Sequence, residues 1–339
     1  MWSLLPLLAA NQSCQSYVCG SLDKAKCIQV NDSITFQPCK SDITAYCPFS
    51  NFTSDSYCLT LPESTINSSY PGDPCTSNLT CIYSNCFKGV CQGLLSSSAC
   101  NDTGQCSPGH RCEYGNCKVL LPLGPSDGNG NNGNCTFDSD CVNNGVCDNG
   151  NCYEYYSKDE TETVQVCQNG VSLICKSGLC YNNICLSEKM SSKMDIESNC
   201  TSDSDCYSDY YDNYPYNINF TTKCLCGMDK EARKYCGLFP GDKPMAKYVA
   251  VFKEWINSDE AKNCHSYSRD SLICVQKYWS KDKFEEFAYY YYMVNMWRHI
   301  QNNEDCVRDM VNYKYYEAKE NYHSSFAVFV ALSAIALIL

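Results

Sequence analysis

The spacing of apolar residues in this 339-residue chain changes near residue 237. Beyond that point, large side chains recur at intervals of three and four, the period of an amphipathic helix. The first stripe contains Met245, Tyr248, Val249, Phe252, Trp255 and Ile256. A second stripe spans residues 281–301, and shorter helices are expected at 271–279 and 304–316. The pattern therefore predicts an α-helical C-terminal domain over residues 237–323.

Before residue 237 the repeating residue is cysteine. Four blocks can be aligned, each with four cysteines separated by five to seven, then four or five, then four residues. These cysteines are Cys75, Cys81, Cys86, Cys91, Cys100, Cys106, Cys112, Cys117, Cys135, Cys141, Cys147, Cys152, Cys167, Cys175, Cys180 and Cys185. A fifth copy begins at Cys200 and then departs from the pattern.

The blocks contain too few apolar side chains to fold by burial alone. In the third block only Phe137, Val142 and Val146 are apolar besides cysteine. Burying them, at about 1.5–3 kcal/mol each, cannot offset a backbone entropy cost of about 1–2 kcal/mol for each ordered residue. Cross-links must stabilise the fold instead. We therefore predict small disulfide-rich modules in an elongated tandem array, followed by the helical domain.

Thirty cysteines in one chain indicate an oxidising compartment. A multi-zinc protein is the alternative, but paired C-x2-C knuckles are absent from the sequence and only four histidines are present,. The spacing leaves the pairing open, although first-to-third with second-to-fourth is the commonest arrangement in small four-cysteine modules. Six cysteines precede Cys75 and can close internally. Near the C-terminus, Cys264 can bond Cys274, and Cys236 can bond Cys306.

Sequons and apolar ends predict an extracellular glycoprotein. The sequon asparagines are Asn11, Asn31, Asn51, Asn67, Asn78, Asn101, Asn134, Asn199 and Asn219. The expected organisation is a signal peptide at 1–10, an N-terminal cysteine-rich module at 11–74, tandem repeats at 75–236, the helical domain at 237–323 and a hydrophobic tail at 324–339. The tail is typical of a GPI-anchor signal. A short tail-anchored span and a run that packs into protein are the alternatives.

Charge and motifs restrict the chemistry. The net charge of −12 disfavours binding to nucleic acid. Known catalytic motifs are absent from the sequence, so we expect neither enzymatic activity nor a cofactor or metal. The sequence Asp-Ser-Asp-Cys occurs at 138–141 and 203–206, where it favours a turn over a calcium site. An insert at 207–223 is either an exposed loop or a contact patch. Its tyrosines are Tyr207, Tyr210, Tyr211, Tyr214 and Tyr216.

The block at 135–152, with Asp-x-Asp before its second cysteine and Asn/Gly near its last pair, resembles the Dickkopf N-terminal cysteine-rich pattern. The chain is also similar to lipid-anchored, repeat-bearing surface proteins of single-celled eukaryotes. These resemblances imply a module architecture and a surface location. We expect a structural or adhesive cell-surface glycoprotein, with a protein or glycan partner or self-assembly. A receptor-like module that binds a soluble ligand through exposed loops and a secreted protease inhibitor are the alternatives.

Overall fold

The structure is a computed structural model. It describes residues 14–22, 26–37, 39, 45–47, 54–60, 69–124, 134–165, 167, 171–187, 199–210, 218–239, 241–295, 306, 318–319 and 321–322. Among these residues, every helix is too short or too polar to span a lipid bilayer. Small sheets and disulfides make up the first two-thirds of the described chain, and three α-helices follow.

The N-terminal module is built on a four-stranded sheet with the order β1-β3-β2-β5 and a separate β4-β6 pair. Its strands are β1 (Ser16–Cys19), β2 (Lys26–Val30), β3 (Ser33–Phe36), β4 (Ala45–Tyr46), β5 (Ser56–Tyr57) and β6 (Leu59–Thr60). Strand β3 alternates inward and outward positions, so Ile34 and Phe36 are fully buried against Ile28 of β2,.

Each of the first four blocks contains one β-hairpin. The hairpin strands are β7 (Cys86–Phe87), β8 (Val90–Cys91), β9 (His110–Glu113), β10 (Asn116–Val119), β11 (Gly145–Asp148), β12 (Asn151–Glu154), β13 (Cys180–Tyr181) and β14 (Ile184–Cys185). The third and fourth cysteines of each block are cross-strand partners. The two tip residues have positive φ in every hairpin, which matches a type I′ turn. These tips are Lys88-Gly89, Tyr114-Gly115, Asn149-Gly150 and Asn182-Asn183.

The fifth copy contains two hairpins instead of one. They are formed by β15 (Tyr207–Tyr210) with β16 (Ile218–Thr221) and by β17 (Cys224–Cys226) with β18 (Lys234–Cys236). The insert therefore adds a hairpin between the second cysteine and the usual hairpin. Phe220 from the inserted hairpin is buried beside Phe239 and Cys236, so its base belongs to the core.

All thirty cysteines lie among the described residues, and all are paired. In the four blocks, the first cysteine bonds the third and the second bonds the fourth. The fifth copy keeps this order through Cys200–Cys224 and Cys206–Cys236. The predicted Cys264–Cys274 bond is confirmed.

Two expected pairings are wrong. The six N-terminal cysteines do not close internally, because Cys14 bonds Cys226 and Cys19 bonds Cys306. The proposed Cys236–Cys306 bond is wrong for the same reason. The cause is tertiary: β1 docks beside the loop before β18, where the Tyr17 amide donates to the Asp229 carbonyl at 3.0 Å. This docking places Cys14 beside Cys226.

The three helices are α1 (Lys243–Ile256), α2 (Leu272–Tyr278) and α3 (Lys281–Asn295). Pro244 lies in the first turn of α1, where its missing N–H costs no hydrogen bond,. The Ser271 hydroxyl caps α2 by accepting a hydrogen bond from the Cys274 amide at 3.2 Å,. The three predicted helices are confirmed over these spans. Of the helix expected at 304–316, only Cys306 lies among the described residues.

The helices pack onto the disulfide blocks. Trp255 of α1 and Phe287 of α3 are fully buried in one cluster with Tyr155 and Val164 of the repeat region. Tyr155 meets Phe252 edge to face at 5.7 Å between ring centroids,. The apolar residues whose spacing predicts the helices are therefore buried against the third and fourth blocks and the linker between them.

Candidate binding surfaces

The Asp-Ser-Asp motifs form 3₁₀ turns at Asp138–Asp140 and Asp203–Asp205. Asp140 Oδ2 accepts hydrogen bonds from the Thr136 and Phe137 amides at 2.8 and 2.9 Å. Asp205 Oδ2 accepts hydrogen bonds from the Thr201 and Ser202 amides at 2.7 and 3.0 Å. Hydrogen bonds from Thr201, its hydroxyl first, hold the pKa of Asp205 below its usual value. The predicted turn is confirmed at both positions.

In four of the five copies, the residue three positions before the second cysteine has the same structural role. Its side-chain oxygen accepts a hydrogen bond from the amide of the third cysteine, at distances between 2.7 and 3.1 Å. The donor–acceptor pairs are Cys86 with Asn78, Cys112 with Thr103, Cys147 with Asp138 and Cys224 with Asp203. A short polar residue is needed here to fix the turn beside the disulfide, so these aspartates have a structural explanation.

A cleft of about 660 Å³ lies between the second and third blocks. One wall is the turn and hairpin tip of the second block, and the other is the turn of the third block. Arg111 is almost fully buried and bridges the two: its Nη2 is 2.6 Å from Glu113 Oε1, and its Nη1 is 4.0 Å from Asp140 Oδ1. Glu113 also pairs with Lys118 at 2.9 Å, which lowers the pKa of Glu113.

Three aromatic residues in the lining of this cleft are exposed: Tyr114 by 91%, Phe137 by 68% and Tyr267 by 41%. Two sequon asparagines, Asn101 and Asn134, line the same cleft from opposite walls. The sequence gives one signal for this arrangement: the two sequons flank the first cysteines of neighbouring blocks. The cleft itself is not predictable from spacing.

The predicted modification sites are exposed wherever the structure describes their side chains. Asn31, Asn78, Asn101, Asn134 and Asn199 are exposed. Asn11, Asn51 and Asn67 lie outside the described residues, and Asn219 is in β16 opposite Asp209. Exposure on the folded surface is compatible with an attached sugar.

The tyrosine insert is partly a strand. Tyr207 and Tyr210 lie in β15, paired with Thr221 and Ile218 of β16. The side chain of Tyr207 is 54% exposed. Three of the five predicted contact residues lie outside the described residues, namely Tyr211, Tyr214 and Tyr216. The described part forms a hairpin, which presents at least one tyrosine to solvent.

The loop between α1 and α2 forms a buried polar seam with the blocks. His265 is fully buried; its Nε2 lies 3.0 Å from the Thr103 carbonyl, and its ring stacks on Tyr70. Burial lowers the pKa of His265 to about 4. The Ser268 hydroxyl donates to Asp73 Oδ1 at 2.9 Å, and burial raises the pKa of Asp73 to about 6. These groups join the helices to the first two blocks.

Arg269 continues this seam to the third block. Its guanidinium donates to the Asp138 carbonyl at 3.1 Å, the Asn143 carbonyl at 3.3 Å and the Tyr155 hydroxyl at 2.9 Å. Trp255 Nε1 donates to the Arg269 carbonyl at 2.6 Å. No local motif in the sequence marks Arg269 or His265, because each bonds backbone carbonyls more than one hundred positions away.

No protein-family model, curated protein sequence or solved structure matches this chain. The resemblance of the blocks to the Dickkopf pattern therefore stays a prediction. The molecule itself shows that every cysteine is paired and that each module of the described chain contains disulfide bonds, and such bonding indicates an extracellular or secreted protein.

Proposed function

We propose that this protein is a cell-surface glycoprotein with a structural or adhesive role, as a coat, cell-contact or filament component. The observation that carries the proposal is the complete pairing of thirty cysteines, together with the first two blocks, whose buried clusters consist of cysteine alone,. In this proposal the blocks form an elongated tandem array, braced along its length by the helices. Such an array resists unfolding outside the cell and offers a long surface for contact.

Surface exposure of sequon asparagines supports the glycoprotein assignment. Five of them are exposed on the described surface, and the sequence has none after Asn219. This distribution fits a sugar-covered outer part and a membrane-near helical domain. The tail at 324–339 then serves as the signal for a GPI anchor, and residues 1–10 direct secretion. The partner is a protein or glycan on a neighbouring surface, or a second copy of the chain.

Phospholipase release tests the anchor. Cells that display the full chain are treated with a phosphatidylinositol-specific phospholipase, and the protein in the medium is measured. We expect release. A matched control replaces residues 324–339 with a transmembrane helix, which the enzyme cannot cut. Retention of the unmodified protein to the same extent as this control would contradict the anchor.

Adhesion is tested with the same cells. Beads coated with the released protein should bind each other or bind protein-displaying cells, and brief reduction of the disulfides should abolish this binding. Beads coated with reduced and alkylated protein are the control for nonspecific adsorption. Equal binding by native and reduced protein would count against a role that depends on the braced array.

A receptor-like function is the second candidate, because the fifth copy presents an extra hairpin. Tyr207 is exposed there, and the Thr222 amide closes the hairpin base by donating to the Cys206 carbonyl at 3.0 Å. The test shortens only residues 211–217, since Phe220 belongs to the core. Loss of binding to a soluble partner with an unchanged melting temperature would favour the receptor, and retained surface adhesion would favour the structural role.

A further inference from the structure

The charged side chains at the cleft between the second and third blocks are each bonded to other groups of the protein, and one buried donor, Arg111 Nε, has no hydrogen-bond partner. Arg111 and Lys118 pair with Glu113. The Asp140 carboxylate accepts two backbone amides, and Asp102 Oδ1 accepts the Gly104 amide at 2.7 Å. Because each charged group already has a partner, an ionic ligand gains little here. The fitting occupant is neutral and polar.

The rings in the lining add a second requirement. Tyr114 and Phe137 both line this cleft and leave most of their surface exposed, and aromatic faces favour a partner with apolar surface beside polar groups. A pyranose sugar has both: one face of C–H groups and a rim of hydroxyls. The volume of the cleft is also suitable, since small-molecule sites span about 300–1,000 Å³.

Two residues that line the cleft are potential attachment sites for such a sugar. Asn101 and Asn134 are exposed, line the cleft from opposite sides and are each the first residue of a sequon,. A glycan on either amide nitrogen starts at the cleft. A foreign ligand would have to compete with a group tethered there at high effective concentration.

We propose that this chain's own N-linked sugar, carried by Asn134 on one wall or Asn101 on the other, fills the cleft and covers Tyr114 and Phe137. This inference rests on the proposed function, because glycosylation requires secretion. The glycan then acts as a part of the fold that joins two neighbouring blocks. It also removes two exposed rings from the protein surface.

Two variants remove the sequons with little change to the cleft. Thr136→Ala removes the sequon at Asn134 while the backbone amide that bonds Asp140 stays. Asn101→Gln removes the other sequon; its threonine must stay, because Thr103 Oγ1 accepts the Cys112 amide. Both variants and the double variant are expressed as the full chain in a glycosylating eukaryotic cell.

The first measurement is hydroxyl-radical footprinting of Tyr114 and Phe137, combined with site-resolved glycopeptide mass spectrometry. In the glycosylated protein we expect both rings to be protected. Loss of the responsible sequon should remove the protection, and the single variants show which asparagine carries the sugar. Tyr207 is the control, since its oxidation should not change. Unchanged ring oxidation after loss of an occupied site would overturn the proposal.

The second measurement is a thermodynamic cycle. We expect loss of the occupied sequon to lower the melting temperature by about 2 °C. The same loss in a Phe137→Ala background should have a clearly smaller effect, because the sugar has lost its contact. Equal effects in both backgrounds would contradict a sugar–ring contact. Phe137 is exposed, so this variant should fold.

The remaining outcomes separate this inference from the proposed function. If Asn31 and Asn78 carry glycans but Asn101 and Asn134 do not, the inference fails and the glycoprotein assignment survives. If none of the nine sequon asparagines carries a glycan in the secreted protein, both fail. If the rings stay protected in the double variant, a foreign ligand occupies the cleft and the inference is wrong.

Discussion

Cys19 in β1 is bonded to Cys306, 287 positions later in the chain. Cys14, five residues earlier, is bonded to Cys226 across 212 positions. These two bonds fasten one edge of the N-terminal module to later parts of the molecule. The remaining disulfides span at most 30 positions, so most cross-links stabilise local modules and these two join distant ones.

Removing the two long-range bonds should have a more than additive effect. While one of the two bonds is present, the other closes only a short additional loop, so replacing a single cysteine pair by serine costs little stability. Replacing both pairs opens the whole long loop. The loss of unfolding free energy in the double variant should exceed the sum of the two single losses by roughly 1 kcal/mol.

Urea unfolding of the three variants measures this effect, and limited proteolysis should release the N-terminal module only from the double variant. Replacement of Cys264 and Cys274 is the control, because that bond spans 10 positions and leaves the module attached. Strictly additive effects, with the module still protected, would contradict the proposed role of these bonds.

Asp73 and His265 should give opposite pH dependences. The pKa of His265 is about 4 in the folded protein and 6.5 ordinarily, so the unfolded chain binds more protons and stability falls as pH drops through this window. The pKa of Asp73 is about 6 against 3.8. The folded chain then binds more protons, so stability rises as pH drops from above 6 to 3.8.

Variants separate the two effects between pH 7 and pH 5. Relative to wild type, Asp73→Asn should lose about 1 kcal/mol more on acidification, because its stabilising protonation is absent. His265→Gln should instead gain about 2 kcal/mol relative to wild type. Guanidinium unfolding at each pH measures these differences. If the unfolding free energy of both variants changed with pH as it does in wild type, the shifted pKa values of Asp73 and His265 would be contradicted.

Arg269 should not tolerate replacement by lysine. Its guanidinium reaches three carbonyls and the Tyr155 hydroxyl from one buried position, and an ammonium group lacks that planar geometry. We expect Arg269→Lys to cost about 2–3 kcal/mol through unsatisfied buried groups. Arg233→Lys is the control: Arg233 is 43% exposed in its ion pair with Asp229 and should cost less than about 1 kcal/mol. Equal losses of unfolding free energy in Arg269→Lys and Arg233→Lys, measured by chemical unfolding, would contradict the special role of the Arg269 guanidinium.

The hairpin tips should respond to substitution according to their φ angles. Gly150 has φ of +76°, a region in which side chains are strained, so Gly150→Ala should destabilise by about 1 kcal/mol. The equivalent position in the fourth block is Asn183, with φ of +61°. Asn183→Gly should therefore be neutral or slightly stabilising. Calorimetric melting compares the two, and a cost at Asn183 that matches the cost at Gly150 would be contrary to this turn assignment.

Local patterns in the sequence predict local structure well here. The three- and four-residue spacing around Trp255 predicts α1, and the Asp-Ser-Asp motifs predict turns because their hydrogen bonds close within a few residues. The two tip residues of each hairpin were a further local signal: Asn149-Gly150 is a typical type I′ pair. These features depend on neighbouring residues, which a sequence displays directly.

Contacts between distant segments could not be predicted. The partner of Cys14 is selected by the docking of β1 beside the loop at residues 228–230, and the cysteine spacing contains no information about that docking. The seam around His265 and the cleft near Asn134 also arise where separate blocks meet. Their residues are ordinary in isolation, because their function comes from the tertiary arrangement.

Disulfide mapping of the native secreted protein tests the central claim most directly. Peptides produced without reduction should contain the first-to-third and second-to-fourth bonds of every block, together with Cys14–Cys226 and Cys19–Cys306. Free thiols should be absent. Recovery of most cysteines as unmodified thiols or metal ligands would contradict the conclusion that disulfide bonds, rather than apolar cores, hold the first two-thirds of this molecule together.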